Sequence, residues 1–435
     1  MKKRWIALTA IAALSAGLIT GSIPVMAEEE GAAEPTTITY LSRYVNPELI
    51  RAGYYLDKLE EFKEANPDIL VEDISIGDDS EAFKAKINAG VASGDLPDLF
   101  IANNGFPLSE WVDNGLVADL TDLVNSEDWT GPTGNMLEAF TFDGKVYGVP
   151  NALNTGQVFV NTKLLKENGI EEVPRSWEAI EEISAVLNDA GIVPFGVAAK
   201  SKAEVGRFVS ALSCMMYGTQ FRDDLASKTI NWDSDECQAL TNQFKEFIDN
   251  KILDPDAVSY EVQDTISLFE QEKVAMMYTA AYHFDRFQEM EFSNDIVCIN
   301  FPYFEDKPEN KDIWIASASE GFMISSKPGT PEFDAACKLL SFMLSADTFK
   351  GYAEVNGGGV FPVDFDFDIS QAKNVVGSFM EEFKNRTDTT DEFTAYLNNS
   401  SLVDTTRTEL QSLFVGRTPE QVCETLAAQY EKEGW

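Results

Sequence analysis

Histidine, cysteine and positive charge are the scarce commodities of this 435-residue chain: one His, five Cys, and 33 Lys and Arg against 73 Asp and Glu. A single histidine, His283, excludes a multi-histidine metal site and the HExxH arrangement. It leaves room for a catalytic triad, but no GxSxG elbow accompanies it. Neither a P-loop nor a GxGxxG dinucleotide fingerprint occurs, so His283 reads as a surface or hinge residue. The cysteines (Cys214, Cys237, Cys298, Cys337, Cys423) are odd in number and widely spaced. With no CxxC, they write neither a zinc ribbon nor a redox motif. Four lie among apolar neighbours and read as small buried hydrophobes, with a Cys214–Cys237 bridge left open. The formal net charge of −40 argues against nucleic acid and anionic lipid, since an acidic face offers no phosphate contacts.

Long apolar runs are scarce too; the one present is at the start. Lys2, Lys3 and Arg4 precede a largely apolar stretch from Trp5 to about Ile23, and Val25-Met26-Ala27 supplies small residues at the cleavage positions. Residues 1–27 are therefore expected to be a signal peptide, 28–35 a linker, and the protein exported. An uncleaved anchor is the other reading, because the run approaches the ~20 residues that span a bilayer. The first cysteine is Cys214, so a conventional lipoprotein tether is not expected. The length favours two domains.

Along the chain, Ile38 to Leu41 is an apolar strand. Asn46 and Pro47 predict a helix start, and Ala52, Tyr55, Leu56, Leu59 and Phe62 recur at helical spacing until Asn66-Pro67. A strand at Ile69 to Ile76, a helix through Phe83, Ile87 and Val91, and a strand at Asp98 to Ala102 continue a βαβαβ rhythm, which predicts a largely parallel sheet flanked by helices. Asp143-Gly144 signals a hairpin. Val158 to Val160 is a strand, Asn168-Gly169 closes a short helix, and Ser176 caps another that ends near Gly191. Val205, Phe208, Val209, Leu212 and Met216 make one apolar stripe; Cys237, Leu240, Phe244 and Phe247 make another. Thr330-Pro331 and Thr418-Pro419-Glu420-Gln421 start two late helices, the second with a capping box. Asp364, Asp366 and Asp368 lack the glycine and closing Glu of a calcium loop. Their alternation with phenylalanine reads as a strand with one polar face.

Several segments in order resemble the extracellular solute-binding protein family 1, which includes maltose- and oligosaccharide-binding receptors. They are FKEANPDI from Phe62, ASGDLPDLF from Ala92, DGKVYGVPN from Asp143, NTKLLKENGI from Asn161, VPRSWE from Val173, FEQEKVAMM from Phe269 and the helix at Thr418. Together they cover about residues 36–435. The resemblance implies a type II periplasmic-binding-protein-like α/β fold, with two discontinuous lobes joined by a three-segment hinge. The expected first lobe comprises 36–152 and 281–316, and the second 153–280 and 317–435. Crossings are expected at Val149–Asn154, Thr279–Ala281 and Ser317–Glu320. It further implies no catalysis and no cofactor, a small polar solute (a carbohydrate first), ABC permease subunits as partners, and a monomer.

Ligands of open α/β sheets sit beyond the carboxyl ends of strands. Arg43 and Tyr44 follow the first strand, and Asn103 and Asn104 end the third, where amides suit hydroxyls. Asn154 and Thr155 line the first expected crossing, Glu320 another, and Phe361 lies beside Gly357-Gly358-Gly359. In the family a tryptophan after the Ala-Met strand stacks on a sugar; here Tyr282 takes that position, with an apolar face and a hydroxyl edge. Trp111, Trp177 and Trp232 read as structural. The competing functions are a secreted glycosidase, whose paired carboxylates sequence cannot position, and a glycan-binding scaffold.

Overall fold

The computed structural model of the protein describes residues 35–434, apart from 78–79, 104–105, 326 and 397–398. The expected signal peptide and nearly all of the linker lie outside the described residues. Strand β1 (Thr36–Leu41) runs parallel to β2 (Ile69–Asp73) and β3 (Leu99–Asn103), with helices Ile50–Ala65 and Ser80–Ser93 as the connections. The first helix buries Ala52, Tyr55, Leu59 and Phe62, alternate steps of three and four that keep one face on the sheet. It begins at Ile50, later than Asn46-Pro47 suggests. The Asn46 carboxamide oxygen instead accepts the Glu48 amide at 3.0 Å, a local turn outside the helix.

The Asp143-Gly144 hairpin is present. β4 (Thr141–Phe142) and β5 (Lys145–Val146) pair antiparallel around it, with φ of 50° and 75° at the two turn residues. Positive φ at both positions matches the twist of the flanking strands.

Two long strands organise the rest: β6 (Val149–Asn161) and β10 (Ile313–Ile324). With β7 (Val193–Gly196), β8 (Val274–Ala280), β9 (Ile296–Ile299) and β11 (Asp388–Thr390) they build a nine-stranded sheet. Its path is β2-β1-β3-β10-β6-β8-β7, with β9 on β6 and β11 on β10. β6 and β10 are antiparallel, from Val149 opposite Phe322 to Thr155 opposite Ala316, with register shifts between Ser317 and Gly321. Beyond that ribbon, β10 pairs with β3 from Glu320 to Ile324, while β6 pairs with β8 and β9 from Gly156 to Asn161. One two-strand ribbon thus spans both halves of the sheet.

Residues 36–435 hold together as one contact unit, yet the apolar cores are separate. One contains Ile38, Tyr40, Phe100, Trp111 and Val149. A second contains Trp177, Phe195, Phe208, Trp232 and Phe244, and a third Phe159, Phe287, Trp314 and Phe379. Assigning 281–316 to the first lobe does not survive this packing. Phe284, Phe287, Ile296, Cys298 and Trp314 enter the third core and Ile299 and Phe301 the second, because β9 is hydrogen-bonded to β6 at Val158–Asn161. Conversely Phe322 to Phe349, expected in the second lobe, supplies Met323, Leu339, Leu340 and Met343 to the first core.

The crossing expected at Thr279–Ala281 is likewise absent: β8 and the residues after it stay with the third core. The chain crosses instead between helix Ala346–Asn356, on the first core, and helix Asn374–Lys384, on the third. The turn away from the first of these is made at Gly357 and Gly358, with φ of 78° and 101°. Asp364 to Asp368 form no strand; Phe361, Val363 and Phe365 rest partly buried on the first core.

Helix starts agree with local chemistry. The hydroxyls of Ser176, Thr330 and Thr418 accept amides three residues on, and Gln421 completes the capping box. Trp111, Trp177, Trp232 and Trp314 are buried, and all five cysteines are free thiols, with Cys337 only partly buried.

Candidate functional site

The site is built where the first core meets the third, at the ends of β1, β3 and β8 and along the β6/β10 ribbon. After β1 the backbone is held by Ser42, whose amide donates to the Ser75 hydroxyl at 2.8 Å. Tyr44 then turns inward and stacks on Tyr55, with centroids 4.7 Å apart. Its hydroxyl accepts Asn151 Nδ2 at 2.9 Å and Arg51 Nη2 at 3.1 Å, tying the β1 loop to the start of β6. Burial pushes the Tyr44 phenol up; the Arg51 guanidinium opposes this and Glu320 adds to it. Arg51 also reaches the Asn151 carbonyl at 3.3 Å, and among the described residues it has no ion pair. Two of its donors' bonds are thus accounted for, in a group that carries five.

A cleft of about 740 Å³ opens beside this cluster. Arg51 and Tyr352 line it from the side of the first core; Asp285, Gln288, Asn294 and Asn374 line it from the other. Clefts of roughly 300–1,000 Å³ are the usual size for small-molecule sites.

Outside the lining of this cleft, Tyr282 follows β8 and stands 63% exposed. Beside it lies His283, ring centroids 4.4 Å apart. Beneath it helix Lys202–Tyr217 brings a buried pair, with Arg207 Nη1 donating to Glu204 Oε1 at 2.6 Å. Arg207 Nε also donates to Glu392 at 3.2 Å, and Arg407 Nη2 donates to the other Glu392 oxygen at 3.0 Å. Burial holds the Glu204 carboxyl above its ordinary range despite Arg207. Burial, then the Arg207 charge, pushes the His283 imidazole down to about 4, so the ring is neutral at physiological pH. At the ribbon itself, Ser317 Oγ donates to Asp391 Oδ2 at 2.9 Å, and burial together with Glu392 raises that carboxyl to about 6.

Around the junction several buried polar atoms find no hydrogen-bond partner among the described residues: Arg43 Nε, Asn151 Oδ1, Asn154 Oδ1, His283 Nε2 and both amide atoms of Gln288. A buried polar group left unpaired costs about 1–3 kcal/mol.

The residues predicted from sequence divide. Tyr44 and Glu320 join Arg51 and Asn151 in one electrostatic group, and Asn103 sits opposite Glu320 in the β3/β10 register. Arg43 lies with its guanidinium 4.6 Å from the Phe83 ring centroid. Asn154 is opposite Ser317 on the ribbon. Asn104 lies outside the described residues. Thr155 is 1% exposed and donates to Gln157 Oε1 at 2.9 Å, turned into the interior and away from the cleft. Phe361 packs on Phe349, Tyr352 and Phe365 and lines a separate cavity of about 370 Å³ with Phe379 and Phe383. Sequence reasoning passed over Arg51, Glu204, Arg207 and Gln288, and set His283 aside. The one visible signal was the charged i,i+3 pair Glu204 and Arg207 inside an otherwise apolar helical stripe.

Among the described residues no helix is long and apolar enough to cross a membrane. The sequence profile described as bacterial extracellular solute-binding protein matches residues 46–348. A Brucella abortus (strain 2308) protein whose name proposes a binding function is 25% identical over 273 residues, 61% of this chain; the match spans 63% of that relative's length. YcjN of Escherichia coli K12, whose name proposes an ABC transporter periplasmic-binding protein, is 22% identical over 308 residues, covering 70% of this chain and 68% of YcjN. A solved chitin oligosaccharide binding protein has the same fold: TM-score 0.75, 17% identity, 92% of this chain and 99% of that one.

Proposed function

Since the chain belongs to the bacterial extracellular solute-binding proteins, we propose that it captures a small polar solute, a carbohydrate of oligosaccharide size, in the cleft between two lobes. The carrying observation is that buried polar atoms of Arg43, Asn151, Asn154, His283 and Gln288, at the junction, have no hydrogen-bond partner among the described residues. Hydroxyls of a sugar would satisfy donors and acceptors alike, which a purely apolar or purely anionic ligand would not. The exposed face of Tyr282 adds a surface for sugar C–H groups. The name of the chitin-oligosaccharide-binding neighbour supports the same class.

The first lobe in this reading comprises residues 36 to about 152 with about 319–366. The second comprises about 153–318 with about 367–435. Solute binding draws the lobes together about the β6/β10 ribbon and the crossing near residues 366–367. The captured solute is handed, chemically unchanged, to the membrane subunits of an ABC importer, with residues 1–27 directing export; the name of YcjN supports this partner. Arg43, Tyr44, Asn103, Asn154, Tyr282 and Glu320 belong to the contact set together with Arg51 and Asn151.

The test is a thermal-shift screen against mono-, di- and trisaccharides, polyols and amino acids. A raised melting temperature with one sugar class is the expected result, with unaltered sugar recovered afterwards. Stabilisation by amino acids alone would replace the solute class, and recovery of cleaved sugar would make the protein an enzyme.

A further inference from the structure

Tyr282 is exposed but anchored. The Arg207 guanidinium carbon lies 5.9 Å from its ring centroid, close enough for attraction between a cation and an aromatic face. Arg207 has little freedom of its own. Glu204 takes one arm and Glu392 another. Glu392 is in turn held by Arg407, which crosses over Gly206, where an added Cβ would lie 2.8 Å from Arg407 Nε. The second oxygen of Glu204 faces the Thr279 hydroxyl at 3.4 Å, three residues before Tyr282.

A guanidinium matched by two carboxylates has no charge left for an anionic ligand. What it still offers is a fixed cation beside an aromatic ring.

We propose that Arg207 is a positioning residue: it fixes the Tyr282 ring as the platform for an uncharged ring of the solute, in a subsite that rejects carboxylated sugars. The proposal rests on the solute-receptor reading above and adds the charge class of the ligand. Lysine at 207 keeps the positive charge but not the planar fork that spans both carboxylates, so Arg207→Lys separates positioning from charge. Preorganisation matters here because ordering a mobile ring on binding subtracts from affinity.

The experiment labels the full chain with 3-fluorotyrosine and assigns the Tyr282 fluorine resonance by its loss in Tyr282→Phe. Wild type, Arg207→Lys, Tyr282→Ala and the double variant are then titrated calorimetrically with maltotriose, xylotriose, chitotriose and digalacturonate. Expected is a shifted, broadened resonance in Arg207→Lys before any sugar is added. The neutral trisaccharide that binds wild type should bind Arg207→Lys about tenfold more weakly, with little further loss when Tyr282 is already alanine. An unmoved resonance overturns the proposal, as does equal weakening with and without the ring, or tighter binding of digalacturonate than of every neutral sugar. If no sugar binds wild type, the receptor reading for sugars fails, while the fluorine signal still decides whether Arg207 orders Tyr282.

Discussion

Two titrating side chains pull stability in opposite directions with pH. Asp391 has a folded pKa of about 6, above the ordinary aspartate value. Its stabilisation is complete below about pH 4 and is lost as pH rises through 6. His283 has a folded pKa of about 4, below that of a free imidazole, so its contribution is present above about pH 6.5 and fades as pH falls towards 4. Asp391→Asn keeps an acceptor for Ser317 and removes the ionisation. It should raise stability at pH 7 by about 2 kcal/mol in urea unfolding, with the gain vanishing near pH 4. His283→Asn should flatten the loss on acidification between about pH 6.5 and 4 in the same measurement. Little of this was legible in the sequence. Tyr44 could be placed because the end of β1 is a local feature, and Glu320 because the family resemblance puts a crossing there. Arg51 and Arg207 become site residues largely through partners distant in sequence, Asn151 for the first and Tyr282 and Glu392 for the second; Thr155 faces inward by the register of its strand, and Phe361, outside any strand, is drawn onto Phe349, Tyr352 and Phe365.

Secondary elements were far more legible, since caps and turns are short-range chemistry. Thr418 with Gln421, and Asp143 with Gly144, fix their elements without reference to the rest of the chain. Thr418→Ala removes one of the two reciprocal cap bonds and should cost about 1 kcal/mol by denaturant titration. Asp364 to Asp368 misled, because alternation of Asp and Phe fits a strand only if a partner strand is available, and none reaches that crossing. The ribbon is less forgiving than the caps. A Cβ at Gly321 would stand 2.4 Å from the Val149 carbonyl oxygen, where backbone meets backbone and cannot yield cheaply. Gly321→Ala should destabilise by about 1–3 kcal/mol. It should also weaken solute binding, because the same strand carries Glu320.

At the scale of the molecule, a net charge of −40 on 435 residues repels itself in the compact state. Raising ionic strength from roughly 0.02 to 0.2 M should therefore raise the melting temperature by a few degrees in calorimetry, as the screening length shortens from about 20 Å to below 10 Å. The mixed α/β class was readable from the βαβαβ rhythm of residues 38–102. Lobe membership was not, because nothing local tells residues 281–316 which core they enter; the pairing of β9 with β6 decides it. The interleaving also orders events in time. As the chain is made, β3 waits for β10, more than 200 residues downstream, and β10 in turn waits for β11. The first core cannot be sealed until residues 322–349 are made, nor the second until the last helix supplies Val422, Leu426 and Tyr430. Such late, distant closure favours slow folding and a long-lived open nascent form, the state that translocation machinery and holding chaperones accept.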